Sequence, residues 1–227
     1  LGWTVAGLML PGMGRDISTL HHRRLSDWTG AVACAVERLR KDFTPVLVAG
    51  YSMGGALAID AAAKHQINGL ILLAPFWSLG EPWLNFVWPL IRVVFRRLKP
   101  LNQVDFSKAE VRNSISRMFG AIDIDDPSVQ KALRNISVPL KTIDEVRKLG
   151  KRVFQQAAHV EIPTIVLQGL ADPIVPPQRT KRLMSRLTSV VEYREIQAGH
   201  DLIDSDGPAW LEIKDCIANF VQASLST

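Results

Sequence analysis

Ser52 lies in a sequence pattern that could make its hydroxyl a nucleophile. It is the centre of Gly-Tyr-Ser-Met-Gly, between Gly50 and Gly54. Residues 46–49 are apolar and predict a buried strand, while residues 55–64 are rich in alanine and predict a helix. A sharp turn between them, which glycine allows, lifts the serine side chain clear of both elements. The alternative is a loop serine that caps the helix, but the flanking strand and helix favour a nucleophile elbow.

A serine hydroxyl is a poor nucleophile at neutral pH, so it needs a base and a third group that holds the base. Residues 164–168 and 190–196 predict two buried strands, which are followed by Asp172 and His200. Functional groups gather at the carboxyl ends of parallel strands. We therefore expect these three side chains to meet at one edge of a sheet, and their order along the chain, Ser52, Asp172 and His200, is typical of α/β-hydrolases.

Other residues compete for these two roles. Asp172 precedes a proline, and Asp-Pro pairs are common in ordinary turns, although a turn does not explain the position of the aspartate at the end of a strand. The remaining histidines lie in a loop or at predicted helix ends, where a histidine is usually structural or solvated. The weaker candidates are His21, His22, His65 and His159 for the base, and Asp204 and Asp206 for the acid.

Strands and helices alternate at both ends of the chain. This alternation predicts a mostly parallel sheet with helices on both faces. The predicted strands are residues 3–10, 46–49, 69–74, 164–168 and 190–196. The predicted helices are residues 27–41, 55–64, 177–187 and 209–222, the first capped by Ser26 or Asp27.

Residues 76–160 lack a convincing strand and predict a helical lid inserted into the sheet domain. The lid contains three patterns that begin helices: the capping boxes Ser107–Glu110 and Thr142–Glu145, and the pair Asp126–Pro127. The predicted domains are therefore a core of residues 1–75 and 161–227, and a lid of residues 76–160.

The first part of the lid, residues 83–99, is strongly apolar and predicts a helix. Its apolar residues recur every three or four positions, at Leu84, Trp88, Ile91, Phe95 and Leu98. Its basic residues tend toward another face of the helix, at Arg92, Arg96 and Lys99. One interpretation is a helix packed on the core domain with a solvated basic face. The other is a hydrophobic wall for acyl chains that also contacts a membrane.

Composition narrows the class of protein. The 227 residues are 47% hydrophobic with a net charge of +5, which predicts a soluble globular protein with one substantial core and a subdomain. The sequence has no apolar run of about 18 residues and no signal-peptide pattern, so we expect a cytoplasmic location. The sequence does not show the alternation of aromatic and basic residues that is typical of nucleic-acid binding, so we expect no nucleic-acid partner. A basic surface could favour contact with anionic membranes. Cys34 and Cys216 fall in helical patterns far apart, so we expect reduced core residues without a disulfide or metal.

The chain resembles the α/β-hydrolase superfamily, and within it the bacterial carboxylesterase and monoacylglycerol lipase branch of S33-type serine hydrolases with a helical lid. The segments that carry the resemblance are GWTVAGLMLPGMG (2–14), AGYSMGG (49–55), LILLAPFW (70–77), VLQGLADPIVPP (166–177) and AGHDLID (198–204). The resemblance implies Ser52 as nucleophile, His200 as general base and Asp172 as the acid that orients it. It also implies the Met53 backbone N–H as an oxyanion-hole donor, and no metal or organic cofactor.

One loop departs from the family pattern. The second oxyanion donor of the family comes from an H-G-type loop that a helix, a strand and a further helix separate from the elbow. Only residues 11–14 could replace it, yet one helix separates them from Ser52. They are more similar to a later L-P-G-H-G loop of the family, with Met13 where histidine is common. We therefore expect the chain to begin partway through the domain, without its first strands and one oxyanion loop, in agreement with a first residue other than Met.

The resemblance implies cleavage of carboxylic esters with an apolar acyl group, such as a monoacylglycerol. A second hypothesis keeps the triad but changes the substrate to a thioester or a small peptide. An aminopeptidase would need lid carboxylates, for which Asp123, Asp125 and Asp126 are candidates, although they more simply begin a helix. A third hypothesis is a non-catalytic fragment that binds apolar ligands or a partner through the lid.

Overall fold

The computed structural model describes residues 3–80, 87–89, 91, 97–108, 111–112, 115–116 and 122–225. The chain forms two compact units: the first is Leu1–Leu8, Leu25–Leu79 and Arg147–Thr227, and the second is Met9–Arg24 and Gly80–Val146. The predicted division into core and lid differs from these units at residues 9–24, 76–79 and 147–160. The lid as a separate domain stays a prediction.

The elements are numbered along the chain. The strands are β1 (Leu47–Tyr51), β2 (Gly69–Leu73), β3 (Arg97–Leu98), β4 (Val138–Pro139), β5 (Thr164–Gly169) and β6 (Val190–Ile196). The α-helices are α1 (Leu25–Asp42), α2 (Met53–Ala62), α3 (Pro127–Asn135), α4 (Leu140–Gln156), α5 (Pro177–Met184) and α6 (Trp210–Leu225). Two 3₁₀ helices cover Gly14–His22 and Ala157–His159.

The first unit is built on a four-stranded parallel sheet in the order β1-β2-β5-β6. The two central strands are mainly apolar and are buried throughout, as expected where both faces of a parallel sheet are covered. On one face, Ile71 and Ile165 pack with Ile213 and Phe220 of α6. Leu72, whose side chain points to the opposite face, is fully buried as well. Helix α2 packs against β1 and β2, so the predicted parallel sheet covered by helices is confirmed.

The predicted first strand, residues 3–10, is wrong. The described residues of this segment form no strand, and several of its apolar side chains are exposed, Val5 at 88% and Met9 at 69%. An apolar run becomes a strand only when another strand satisfies its backbone groups. Within the described part of the first unit this segment pairs with no strand, so its apolar composition alone does not make it a strand.

The second unit has its own small core, formed by Phe106, Ile115, Ile124 and Leu133. It also contains the antiparallel pair β3 and β4, with Leu98 opposite Val138. The prediction that residues 76–160 lack strands is therefore wrong. Strands of two residues are too short to show the period-two pattern from which a strand is predicted.

The predicted helix over residues 83–99 is only partly described. Residues 87–89 and 91 are helical, while Leu84, Arg92, Phe95 and Arg96 lie outside the described residues. The predicted end of this helix is wrong, because Arg97 and Leu98 form β3. Proline at position 100 disfavours helical backbone at the residue before it, and pairing with β4 supplies the backbone partners instead.

The predicted helix starts have mixed outcomes. Asp126 caps α3 by accepting a hydrogen bond from the Ser128 N–H at 2.7 Å, with Pro127 as the first helical residue, so that start is confirmed. Helix α4 begins at Leu140, which places Thr142 inside it, so the capping box at Thr142 is wrong. Helix α1 begins at Leu25, so Ser26 and Asp27 lie in its first turn rather than at its cap. The Ser107 capping box cannot be compared, since Glu110 lies outside the described residues.

The two cysteines also differ from each other. Both thiols are free, but only Cys216 is buried, whereas Cys34 is exposed on α1. The prediction of a core cysteine is therefore confirmed at position 216 and wrong at position 34. In the part of the chain that is described, no helix combines the length and apolar content needed to cross a membrane.

Candidate active site

Ser52 occupies a strained turn between β1 and α2. Its φ of 52° and ψ of −117° lie where a residue with a side chain is rarely found, at a cost on the order of 1–3 kcal/mol. Backbone hydrogen bonds hold this conformation: the Ser52 N–H donates to the Leu73 carbonyl at 2.9 Å, and the Ser52 carbonyl accepts from Phe76 N–H at 3.0 Å. The turn therefore depends on contacts with β2 and the residues that follow it.

Glycine is needed beside Ser52 because backbone segments meet there. A Cβ atom at Gly50 would lie 2.4 Å from the Gly54 carbonyl oxygen, so the prediction that Gly50 makes room for the turn is confirmed. The same prediction for Gly54 is wrong, since a Cβ there would meet none of the described atoms within 4 Å. Gly55 takes that role, because its Cβ would lie 3.1 Å from both the Gly50 carbonyl oxygen and the Pro75 Cα.

The structure brings the three predicted side chains together within the first unit. His200 Nε2 lies 3.1 Å from Ser52 Oγ, and His200 Nδ1 lies 2.7 Å from Asp172 Oδ2. A neutral imidazole that donates its Nδ1–H to the carboxylate leaves Nε2 free to accept the serine O–H. The arrangement can therefore take a proton from Ser52 and stabilise the imidazolium that results.

Asp172 is buried, and hydrogen bonds satisfy both of its carboxylate oxygens. Oδ1 accepts from the N–H groups of Ile174 and Val175, each at 2.8 Å. Burial by itself raises the pKa of the Asp172 carboxyl, but the hydrogen bond from His200 and those from Val175 and Ile174 outweigh it. The pKa is therefore lower than the ordinary value for an aspartate, which keeps the carboxylate ionised at neutral pH.

Comparison with known proteins identifies the family. The sequence profile of the serine aminopeptidase S33 family (Hydrolase_4) matches residues 1–204. The chain belongs to this family. It is 27% identical to human (Homo sapiens) monoglyceride lipase over 173 residues, which are 72% of this chain and 54% of that protein. The chain spans about half the length of the curated monoglyceride lipases that it matches.

Solved structures show the fold of this S33-family chain. The monoacylglycerol lipase of Paleococcus ferrophilus superposes with a TM-score of 0.62 at 20% identity, over 88% of this chain and 76% of that one. The α/β hydrolase GrgF from Penicillium sp. sh18 has a TM-score of 0.65 at 14% identity, over 90% and 74% of the two chains. The predicted α/β-hydrolase fold is thus confirmed.

Two further residues of this S33-family chain support the acid, and neither was predicted. Gln168, fully buried, donates from Nε2 to the Val175 carbonyl at 2.9 Å and lies 3.3 Å from Asp172 Oδ2. Its Oε1 accepts from the Thr180 hydroxyl at 2.5 Å. The signal in the sequence is a polar glutamine at the end of an apolar strand, because a buried amide must find partners.

Gly169 lets the acid loop and the histidine loop approach each other. A Cβ atom at this position would lie 2.0 Å from the Gly199 carbonyl oxygen. The Ala171 N–H donates to the Ala198 carbonyl at 3.0 Å, which ties the two loops together. Gly169, three residues before Asp172, and Gly199, directly before His200, thus form one close contact. Their spacing along the chain does not reveal this contact.

Met53 is suited to the predicted oxyanion role by its position as the first residue of α2. Its N–H has no acceptor within the helix, and the helix N-terminus carries a partial positive charge. Two N–H groups of residues 11–14, the segment predicted as the only source of a second donor, already have acceptors within the second unit. The Gly12 N–H donates to Asp16 Oδ2 at 2.9 Å and the Met13 N–H donates to the Leu10 carbonyl at 3.0 Å.

The weaker candidates form local contacts instead. His65 Nδ1 lies 2.9 Å from Glu37 Oε1, and the rings of His21 and His22 pack on each other at 3.8 Å. Asp204 Oδ1 accepts from the Asp206 N–H at 3.3 Å within one turn. Among the described residues, no three His, Cys, Asp or Glu side chains form a group that could hold a metal ion.

Proposed function

We propose that the protein hydrolyses carboxylic esters through an acyl-enzyme on Ser52. The observation that carries the proposal is the hydrogen-bonded chain Ser52–His200–Asp172, with distances of 3.1 and 2.7 Å, on a serine held in a strained elbow. Membership of the S33 family and similarity to monoglyceride lipases support the same chemistry.

The first half of the reaction forms the acyl-enzyme. His200 Nε2 accepts the proton of the Ser52 hydroxyl as Oγ attacks the ester carbonyl carbon. Asp172 stabilises the imidazolium, and the Met53 N–H donates to the oxyanion of the tetrahedral intermediate. His200 then gives the proton to the alkoxide oxygen, so the alcohol leaves and the acyl group stays on Ser52.

The second half releases the acid by the same groups in reverse. His200 takes a proton from a water molecule, whose oxygen attacks the acyl carbonyl. The oxyanion collapses, the bond to Ser52 Oγ breaks, and His200 returns the proton to the serine. Two cycles of proton transfer through one imidazole thus account for the products, an alcohol and a carboxylic acid.

For the substrate we propose an ester with an apolar acyl chain, of the monoacylglycerol type. The names of the relatives support this choice, as does the apolar composition of residues 83–99. Contact of this segment with a membrane stays a prediction.

Fluorophosphonate labelling tests the nucleophile directly. We expect the wild type to be labelled and to hydrolyse p-nitrophenyl esters, and Ser52→Ala to lose labelling and at least ~10³-fold in kcat. The matched control is Ser185→Ala, which removes an exposed hydroxyl that donates to the Arg182 carbonyl at 2.8 Å. Equal labelling of the wild type and Ser52→Ala would overturn the proposal, and no labelling of the wild type would favour the non-catalytic hypothesis.

An aminopeptidase is the second candidate, favoured by the description of the S33 family. Two of the lid carboxylates that it would need already have partners: Asp125 pairs with Arg112 at 2.6 Å and Asp126 caps α3. Comparing the kcat/KM of p-nitrophenyl esters, thioesters and aminoacyl anilides separates the candidates. Faster cleavage of the anilides would replace the esterase by a peptidase.

A further inference from the structure

The nucleophile and the histidine come from opposite edges of the four-stranded sheet. Ser52 follows β1 and His200 follows β6, and β2 and β5 lie between them. With neighbouring strands ~4.8 Å apart, the two loops must bridge ~14 Å across the end of the sheet. The 3.1 Å contact between Nε2 and Oγ therefore requires a link that holds the histidine loop toward β1.

Tyr51, the last residue of β1, provides such a link. Its hydroxyl donates to the backbone carbonyl of His200 at 3.0 Å. Its ring packs against the imidazole of His200, with the ring centres 5.0 Å apart and the planes tilted by 39°. The same side chain packs on the buried cluster that contains Leu73 and Leu167. Tyr51 thus contacts both the backbone and the ring of His200 from the strand that carries the nucleophile.

Two other hydrogen bonds of the His200 loop are made to parts of the chain other than β1. The His200 carbonyl also accepts from the Leu202 N–H at 2.8 Å, within its own loop. The Ala171 N–H to the Ala198 carbonyl ties the loop to the acid. The hydrogen bond from the Tyr51 hydroxyl instead connects the His200 loop to β1, the strand that leads into Ser52.

We propose that Tyr51 is a positioning residue that acts through His200, holding Nε2 within hydrogen-bond distance of Ser52 Oγ. This inference rests on the proposed function. Loss of the hydroxyl would let the histidine loop relax away from β1, and a shift of ~1 Å at the reacting groups can cost up to ~10²-fold in rate. Because the hydroxyl donates to the backbone of the His200 loop, we expect its loss to fall on kcat rather than on KM.

The chain supplies a matched control, because it contains two tyrosines. Tyr193 lies on β6, and its hydroxyl donates to Glu195 Oε1 at 2.7 Å. Tyr51→Phe and Tyr193→Phe each remove one hydrogen-bonded phenol hydroxyl from the same sheet and keep the ring. We expect Tyr51→Phe to lower kcat for a p-nitrophenyl ester ~10-fold with KM within ~2-fold, and Tyr193→Phe to leave both within ~2-fold. Equal kcat in the two variants would overturn the proposal.

A double-mutant cycle tests whether Tyr51 acts through the imidazole. In a His200→Ala background, adding Tyr51→Phe should leave the residual rate unchanged, because no base remains to be positioned. A further ~10-fold loss in that background would show that Tyr51 acts on something other than His200 and would overturn the inference.

An NMR measurement separates this inference from the proposed function. The ring resonances of His200, assigned by their loss in His200→Ala, should shift in Tyr51→Phe and stay in place in Tyr193→Phe. Unchanged His200 resonances in Tyr51→Phe would overturn the positioning role even in an active enzyme. If the wild type cleaves no ester and Ser52 is not labelled, the proposed function fails, and the resonances still decide whether Tyr51 fixes His200.

Discussion

The turn that holds Ser52 and the loop that holds Asp172 serve the same imidazole but are built differently. Ser52 is placed by its backbone: a left-handed φ, a glycine at position 50 and the close approach of α2. Asp172 is placed by hydrogen bonds to its carboxylate: two from backbone N–H groups, one from the buried Gln168 side chain and one from His200. In the elbow, close backbone approach and backbone hydrogen bonds fix Ser52, whereas in the acid loop hydrogen bonds to the carboxylate itself fix Asp172.

The difference follows from what each residue must do. A nucleophile must keep its oxygen open to a substrate, so the fold cannot surround that oxygen with partners and must fix the backbone instead. A buried carboxylate costs several kcal/mol unless its oxygens are satisfied, so the acid loop needs donors. Changes to shape should therefore damage the elbow, and changes to hydrogen bonding should damage the acid loop.

The largest expected effect is at the acid itself. Asp172→Asn keeps an oxygen for the Ile174 and Val175 N–H groups but presents an N–H₂ group to His200 Nδ1, which favours the wrong imidazole tautomer. We expect kcat for a p-nitrophenyl ester to fall ~10⁴-fold while the protein stays folded. A kcat within tenfold of the wild type would show that the carboxylate does not orient His200.

A steric change should break the elbow. Gly50→Ala would place a Cβ 2.4 Å from the backbone oxygen of Gly54, which forces α2 to move at a cost of ~1–3 kcal/mol of stability. Since Ser52 immediately precedes α2, we also expect a ~10²-fold loss of kcat. Thermal unfolding and ester hydrolysis measure the two effects.

Gly54→Ala is the matched control for stability. Because a Cβ there meets no described atom within 4 Å, we expect this variant to unfold at or above the wild-type temperature. If Gly50→Ala unfolds at the same temperature as Gly54→Ala, the close approach at Gly50 does not hold the elbow.

A polar change of nearly constant shape should instead damage the acid loop. Thr180→Val removes the hydroxyl that donates to Gln168 Oε1 and leaves a fully buried carbonyl oxygen without that donor. We expect a loss of ~1–3 kcal/mol in the free energy of unfolding and a loss of activity of a few-fold. Thr180→Ser keeps the hydroxyl and should retain most of the stability; a Thr180→Val variant as stable as the wild type would show that the hydrogen bond to Gln168 does not stabilise the acid loop.

The smallest expected effect is a pH dependence of the free energy of unfolding that arises from Asp172. The pKa of Asp172 is lower in the folded protein than its ordinary value, so the folded state binds fewer protons than the unfolded state. The stabilisation is complete above the ordinary pKa of ~4 and is lost as the pH falls below it toward the folded pKa. Urea unfolding from pH 7 to pH 3 should show the advantage of the wild type over Asp172→Asn shrinking below about pH 4. An advantage that stays constant to pH 3 would contradict the lowered pKa.

The sequence predicts Ser52, Asp172 and His200 as one site because each of them follows an apolar strand, either directly or within a few residues. Parallel strands bring their carboxyl ends to one edge, so the order of strands along the chain already restricts where Ser52, Asp172 and His200 can lie. The same argument fails for residues 3–10, since an apolar segment gives no information about whether a partner strand is present. It fails again at β3 and β4, where two residues carry no periodic pattern.

What the sequence determined by itself is local: the strand, glycine turn and helix around Ser52, the buried strands β2 and β5, and the Asp126–Pro127 start of α3. What only the tertiary structure decided are contacts between distant segments. The Gln168–Thr180 support of the acid, the approach of Gly169 to Gly199 and the reach of Tyr51 to His200 depend on sub-ångström packing across strands. The physical reason is that periodicity and turn chemistry act over a few neighbouring residues, whereas these contacts exist only after the sheet has set the distances between its loops.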